Sequence, residues 1–365
     1  MSAEPPLRLL IVDDSRIFRA AMQDALEGRT DIRVVGSVWS GEKAVEFIRE
    51  SPPDLVTLDI NMPGQGGLET LSQIQEINQS RTGMPPIGVL LVSALTSRGA
   101  ATTVEGLQRG AFDFILKPDG PDEKENQTQL QQLLLEKINL FSQRLKVGQA
   151  TSSSRTAPPV VCATPSRSGR YSVVAIGSST GGPEALARIL PEITRQSKCP
   201  IFVVQHLPPG MTGYFAESLA RKCDFRVVEA QDGLVVENST IYVAPGGHHM
   251  VLRKQDGRVV IGLNDLPPEN GCRPSVDVFF RSIASIYPHA VVAVVLTGMG
   301  TDGAKGLMPL KRNGAYVIAQ DEATSVVWGM PGAAAATNQV DEILPIGRIG
   351  TTVAKLLATR AKPCS

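Results

Sequence analysis

Cysteine is scarce in this 365-residue chain, and the five present (Cys162, Cys199, Cys223, Cys272, Cys364) show no C-x-x-C spacing. That argues against a disulfide framework or a cysteine-built zinc cluster and reads as free thiols in a reducing compartment. Net charge is missing as well. Lys+Arg and Asp+Glu both number 36, so no global field directs the chain to nucleic acid or an anionic membrane. No apolar run reaches the roughly 20 residues of a membrane helix. Met1 to Pro6 lacks the charged and apolar layout of a secretion signal. The expectation is a cytoplasmic protein, with no nucleic-acid partner and no membrane insertion. There is no fixed-period repeat, and only four histidines, so chemistry that needs imidazole has few candidates.

What is present is ordinary for soluble domains, at 42% hydrophobic and 20% charged residues, with a length that suits two or three of them. From Leu7 to Pro118 short apolar strands alternate with amphipathic segments. Leu7–Val12, Arg33–Val38, Leu55–Leu58, Ile87–Val92 and Phe112–Leu116 predict a parallel sheet covered by helices on both faces. Gln127–Val147 predicts a long helix with Leu130, Leu133, Leu134, Ile138, Phe141 and Leu145 as its apolar stripe. Gly148 to Arg170 turns to Ser, Thr, Pro, Arg and Gly, a linker composition. A second alternation follows, clearest at Ser172–Ile176, Ile201–Gln205, Ile241–Val243, Val291–Leu296 and Ala315–Ala319. The organisation expected is an α/β domain over 7–124, a connecting helix and linker over 125–170, and a second α/β domain, doubly wound and mostly parallel, over 171–361.

In a parallel α/β sheet, chemistry collects at the carboxyl ends of the strands. In the first domain those ends are acidic. Asp13 and Asp14 close the first strand, Asp59 the third, Ser93 the fourth and Lys117 the fifth. Converging carboxylates repel unless a divalent cation sits among them, and an all-oxygen ligand set suits Mg²⁺. Lys117 and the Ser93 hydroxyl could then stabilise a phosphoryl group on Asp59. Single acids at strand ends are often helix caps, but three acids in register with Ser93 and Lys117 are not. The segments Val12-Asp13-Asp14, Leu58-Asp59-Ile60-Asn61-Met62-Pro63-Gly64, Val92-Ser93-Ala94 and Leu116-Lys117-Pro118 resemble the response-regulator receiver domain over residues 7–120. The resemblance implies a flavodoxin-like five-stranded sheet and phosphorylation of Asp59 by a sensor histidine kinase. It also implies Mg²⁺ at Asp13, Asp14 and Asp59, and Phe114 as the aromatic that responds together with Ser93. Gly66-Gly67 departs from the Asp-Gly common in that family.

The second domain has a tight strand-to-helix turn at Gly177-Ser178-Ser179-Thr180-Gly181-Gly182-Pro183. Its glycines admit close backbone approach, and the helix behind Pro183 favours negative charge. A phosphate loop, a nucleophilic serine and a plain glycine turn all remain open at this point. G-x-S-x-G spacing would put the nucleophile at Ser179. A nucleophile needs a base. His206 follows Ile201–Gln205 at the carboxyl edge, where Ser179 also lies. His248 and His249 are second choices, and His289 precedes its strand and reads as structural. Asp302 follows Val291–Leu296 at the same edge and suits the orienting acid. Asp277 and Asp321 are alternatives, Asp277 more as a residue that pins a helix. A rival stands beside this. Gly298-Met299-Gly300-Thr301-Asp302-Gly303 is a literal G-x-G-x-x-G with Asp321 or Glu322 about twenty residues on, as in a dinucleotide site. That reading leaves Ser179 and His206 unused and puts the fingerprint late in the fold.

Ser179-Thr180-Gly181-Gly182, Val204-Gln205-His206-Leu207-Pro208, Tyr242-Val243-Ala244-Pro245-Gly246, Arg273-Pro274-Ser275-Val276-Asp277 and Leu296 through Gly303 together resemble the catalytic domain of the CheB family of chemotaxis protein-glutamate methylesterases. The resemblance spans about residues 171–360, behind a receiver domain. It implies a triad of Ser179, His206 and Asp302, with Thr180, Met299 and Arg273 lining the site and no cofactor for ester hydrolysis. It implies methylated chemoreceptor cytoplasmic helices as substrate, some glutamine deamidation, and a CheA-type kinase as phosphodonor. It further implies that the unphosphorylated receiver covers the catalytic edge. A signalling module with an idle second domain is the other class left open.

Overall fold

The computed structural model describes residues 5–94, 96–151 and 171–358, the side chains of 147–151 excepted. Contacts divide the chain into two compact units, residues 1–155 and 156–365.

The first unit runs β1 (Leu7–Val12), α1 (Arg16–Ala25), β2 (Ile32–Val38), α2 (Gly41–Glu50), β3 (Leu55–Asp59), α3 (Gly67–Ser80), β4 (Gly88–Ser93), α4 (Ser97–Gln108), β5 (Asp113–Leu116) and α5 (Glu123–Thr151). The strands form one parallel sheet in the order β2-β1-β3-β4-β5. Every expected strand is present with its ends within one residue. Both faces are covered, so β1, β3 and β4 are almost wholly buried, and each fully buried aliphatic side chain stabilises the unit by roughly 1.5–3 kcal/mol. Chain order reverses between β1 and β3, the switch point where ligands of such sheets bind.

Helix α5 is longer than the periodicity predicts, because Glu123 and Glu125 favour an earlier first turn. It also continues through Gly148–Thr151, where the composition suggests linker. The remainder of the expected linker, 152–170, lies outside the described residues. Leu130, Leu134, Ile138 and Phe141 are the buried part of its stripe. Phe141 reaches the floor of the sheet, with its ring edge-on to Phe112 at 5.1 Å between centroids and packed over Gly88.

The second unit runs β6 (Val173–Ser178), α6 (Gly182–Gln196), β7 (Ile201–Gln205), α7 (Thr212–Ala220), β8 (Arg226–Glu229), β9 (Thr240–Val243), β10 (His249–Gln255), β11 (Arg258–Asn264), α8 (Val276–Ile286), β12 (Val291–Val295), α9 (Leu307–Arg312), β13 (Tyr316–Gln320), α10 (Gly329–Ala336), β14 (Glu342–Leu344) and α11 (Ile346–Ala358). Seven strands form a parallel sheet in the order β14-β13-β12-β6-β7-β9-β8, and β10 and β11 form a separate antiparallel hairpin. The periodicity identifies the five central strands. It misses the edges β8 and β14 and the hairpin, because these are short or half-exposed and carry polar residues such as Arg253, Lys254 and Gln255. The central strand is β6, flanked by β12 and β7. Its residues Val173 and Ala175 join Phe202, Tyr242, Phe279 and Phe280 in one continuous core.

Gly88 shows how close α5 lies to β4. A methyl group there would come within 2.3 Å of the Phe141 ring. The Gly88→Ala variant is expected to lose about 1–3 kcal/mol of stability through overpacking, read as a lower urea midpoint, with part of the loss recovered by adding Phe141→Leu.

Candidate active site

Three neighbouring strand ends build the site of the second unit. Strand β6 ends at Ser178, β7 at Gln205 and β12 at Val295, and register pairs Ser178 with Gln205 and Gly177 with Val295. The residues that follow therefore emerge side by side. Ser178 itself is fully buried, and its hydroxyl donates to Gln205 Oε1 at 2.7 Å. The Gln205 amide group in turn donates to the carbonyls of Ser179 (3.0 Å) and His206 (3.1 Å). One glutamine side chain thus ties together the backbones on which the serine and the histidine sit. The sequence reading passes over Gln205, since its partners are visible only across the sheet.

Ser179 is half-buried, and its own amide is used by the Thr297 carbonyl at 3.0 Å. Two glycines shape its surroundings, Gly298 against Ser179 itself and Gly181 against Val326 and Thr297. A side chain at Gly298 would meet Ser179 Cβ at 2.8 Å and Met330 Sδ at 2.4 Å, and Gly181 holds φ +77° as it opens α6. Among the described residues no hydrogen bond joins the Ser179 hydroxyl to an imidazole, and such contacts commonly tighten only with substrate in place.

The imidazole is held from the other side. His206 Nε2 lies 2.9 Å from Asp302 Oδ2, and its amide donates to the Ser178 carbonyl. Asp302 is 1% exposed. Its carboxylate also accepts from the amides of Val276 (2.7 Å), Asp277 (3.1 Å) and Gly303 (3.1 Å), from the Ser275 hydroxyl (2.8 Å) and from Asn270 Nδ2 (3.0 Å). Burial opposes its charge, but the His206 contact and these amides outweigh that and bring its pKa down to about 2. For His206 burial again opposes the charge. The hydrogen bond to Asp302 and the neighbouring Cys272 prevail, pushing the ring up to about 9. Cys272 Sγ lies 3.5 Å from His206 Nδ1, a neighbour that the spacing of the cysteines does not reveal.

Thr180 is buried at 8% exposure and its carbonyl accepts from the Thr297 hydroxyl at 3.0 Å, while Met299 is 44% exposed. The Arg273 guanidinium donates to the carbonyls of Asp265 and Leu266, so it braces that loop. His249 is buried, accepting from the Ser275 amide and donating to the Pro267 carbonyl. His248 pairs with exposed Asp265 at 2.5 Å, and His289 stands at the amino edge with φ +61°. His249 reaches Asp302 only through Ser275, and His248 contacts Asp265 instead. Asp277 pins a loop, accepting from the Gly306 amide at 2.6 Å, with Ser275 as the actual cap of α8, and Asp321 holds the turn at Thr324. The G-x-G-x-x-G segment does not open a helix. The next helix, α9, begins only at Leu307, and the motif's Asp302 is turned inward onto α8. That removes the helix N-terminus a dinucleotide pyrophosphate requires.

The first unit gathers its acids at the β1/β3 switch point. Oxygens of Asp13, Asp14 and Asp59 lie within 4.8 Å of one another, with Asp13 and Asp59 buried and Asp14 exposed. Lys117 Nζ reaches Asp13 at 2.7 Å and Asp59 at 3.3 Å, and rests 4.5 Å over the Phe18 ring. Burial pushes the Asp59 carboxyl up, Asp13 adds to the rise, and Lys117 only partly opposes it. Ser93 is buried, its hydroxyl on the Ala94 carbonyl, and Phe114 is half-buried on β5. An all-oxygen set with excess negative charge and one exposed member fits Mg²⁺ with retained waters.

Comparison with known proteins bears on both units. The model of the CheB methylesterase family matches residues 174–353 and that of the response regulator receiver domain matches residues 9–129. A protein of Trichodesmium erythraeum named protein-glutamate methylesterase/protein-glutamine glutaminase is 39% identical over 96% of this chain and 98% of its own length. One of the same name from Pyrococcus abyssi is 37% identical over 96% of this chain and 93% of its own. The crystal structure of the Thermotoga maritima CheB methylesterase catalytic domain covers 51% of this chain and 98% of its own, with 41% identity and a TM-score of 0.50.

For chemistry that uses His206 as base, the ring must be neutral, and a ring pushed up to about 9 is mostly protonated at neutral pH. The kcat/KM is therefore expected to climb from pH 7 and level off past about 9. A profile already flat from pH 7 upward contradicts this. Stability follows the opposite sense. The raised pKa stabilises the fold below the ordinary imidazole value, near 6.5, and that contribution fades as pH rises through about 9.

Proposed function

This chain belongs to the CheB methylesterase family and carries a response regulator receiver domain, and on that premise we propose that it is a phosphorylation-activated hydrolase of glutamate methyl esters on chemoreceptors, with glutamine deamidation as a second activity. The observation that carries the reading is the pairing of His206 with buried Asp302 on the strand ends that flank Ser179. Ser179 Oγ attacks the ester carbonyl and His206 takes the hydroxyl proton on Nδ1, because Nε2 is engaged by Asp302. The tetrahedral oxyanion is met by backbone amides at Thr180 and Met299, each worth roughly 2.7–4 kcal/mol. His206 returns the proton to the departing oxygen, releasing methanol and leaving a glutamyl ester on Ser179. Water, deprotonated by the same ring, then frees the glutamate. With a glutamine substrate the leaving group is ammonia. Arg273 keeps the Asp265–Leu266 loop beside the site, and Met299 offers an apolar contact to the receptor helix.

Control belongs to the other unit. Asp59 accepts a phosphoryl group from a sensor histidine kinase of the CheA type, with Lys117 and Ser93 positioned for its oxygens and Phe114 as the aromatic that follows the change. Asp13, Asp14 and Asp59 would hold Mg²⁺, which would supply positive charge to the phosphoryl oxygens. Residues 7–124 act as receiver, 125–170 as connection and 171–361 as the catalytic domain. The setting is the cytoplasm, in keeping with the fact that no described helix is long and apolar enough to cross a membrane.

Two variants test this. Ser179→Ala is expected to reduce methanol release from methylated receptor membranes by about 10⁴-fold or more without changing the fold; turnover within a few-fold of the parent sinks the nucleophile. Asp59→Asn is expected to keep basal hydrolysis and lose stimulation by a small phosphodonor with Mg²⁺, and stimulation that persists refutes the switch.

A further inference from the structure

His206 has two ring nitrogens, and the structure assigns them different neighbours: Asp302 at Nε2 and Cys272 Sγ at Nδ1. The three side chains offer ligand atoms that all lie within 4.8 Å of one another. An imidazole nitrogen with a cysteine sulfur beside it, and a carboxylate on the other ring nitrogen, is the side-chain set found in the carboxylate–histidine–metal arrangement of zinc proteins. The spacing also suits it. Tetrahedral zinc, bonded to nitrogen at roughly 2.0–2.1 Å and to thiolate sulfur at roughly 2.3 Å, sets those two atoms about 3.5 Å apart. Nδ1 and Sγ are 3.5 Å apart. Asn270 shapes the site as well, since Cys272 Sγ lies 3.7 Å from its carbonyl while its side-chain amide donates to Asp302.

We infer that His206 Nδ1 and Cys272 Sγ form an inhibitory site for a thiophilic divalent metal, of which Zn²⁺ is the representative, with Asp302 supporting the histidine from Nε2. Binding displaces the thiol proton of Cys272 and, where the His206 ring is protonated, its Nδ1 proton as well, both leaving to solvent; nothing is oxidised or reduced. Water completes the coordination. The metal takes the Nδ1 lone pair that would otherwise accept the Ser179 proton, so occupation halts ester hydrolysis without touching the receiver. That consequence rests on His206 being the base, whereas the site itself does not.

Cobalt is the probe, because a thiolate bound to Co²⁺ gives an intense near-ultraviolet charge-transfer absorption that oxygen ligands do not give. Asp13, Asp14 and Asp59 are thereby silent, and no cysteine precedes Cys162. Titration of the full chain with Co²⁺ is expected to raise this band in the parent and in Cys199→Ser and Cys223→Ser, and to give none in Cys272→Ser or His206→Gln. In parallel, the Zn²⁺ concentration that halves basal ester hydrolysis, each protein measured against its own metal-free rate, is expected to rise at least about 10-fold in Cys272→Ser. Absence of the band in the parent, or its survival in Cys272→Ser, overturns the site. A band lost with Cys272 while saturating Zn²⁺ leaves hydrolysis unchanged upholds the site and overturns His206 as the base.

Discussion

The catalytic unit is arranged around one buried anion. Asp302 is almost inaccessible to solvent, yet it carries charge, and a carboxylate removed from water must find replacement donors or protonate. It finds them at the first turn of α8, where the amides of Val276 and Asp277 and the Ser275 hydroxyl converge on it, and in Asn270 and Gly303. The positive end of the α8 dipole adds to these. Three parts of the chain distant in sequence are thereby locked together: the loop after β12, the start of α8 and the loop after β7. His206 completes the set, so its ring plane and the identity of its outward nitrogen follow from the solvation needs of Asp302.

That constraint explains why the serine can be placed without a rigid hydrogen bond of its own. Gln205 fixes the Ser179 and His206 backbones to each other, and the Gly298 contact fixes Ser179 against the loop that carries Asp302. The hydroxyl makes no hydrogen bond to an imidazole among the described residues, which leaves it free to rotate toward a substrate. An attacking group that must travel from its proton acceptor to a carbonyl carbon benefits from a rigid frame and a mobile tip.

Much of this was legible in residues alone, and the reasons are specific. Central strands such as β3, β6 and β12 are buried on both faces and read as apolar runs, and the residue that follows each is automatically at the carboxyl edge. That was enough to collect Asp13, Asp59, Ser179, His206 and Asp302 as candidates. What stayed hidden depends on lateral neighbours. Gln205 reads as the polar end of a strand, although its side chain bridges two backbones. Cys272 is 66 positions from His206 and belongs to no spacing pattern. The hairpin β10–β11 escaped because half its residues face solvent, and the glycine motif at 298–303 misled because the helix expected after it starts four residues late, at Leu307.

The two units shift their strand-end carboxylates in opposite directions through burial, neighbouring charge and hydrogen bonding. Asp59 is buried beside a second carboxylate, with Lys117 shared between the two, so ionisation is costly and its carboxyl is pushed up. Such a site gains from any ligand that brings positive charge, which makes cation binding and phosphoryl chemistry two faces of one imbalance. Asp302 is buried against five donors besides the imidazole and sits far below the usual carboxylate range, at about 2. It cannot act as a proton acceptor near neutral pH; it can only hold an imidazolium. A carboxylate short of donors is poised to react, and one surrounded by donors is poised to orient. On the proposed function, the phosphoacceptor and the triad acid differ in the charge partners and hydrogen-bond donors that each strand end provides, with the sheet beneath them the same in kind.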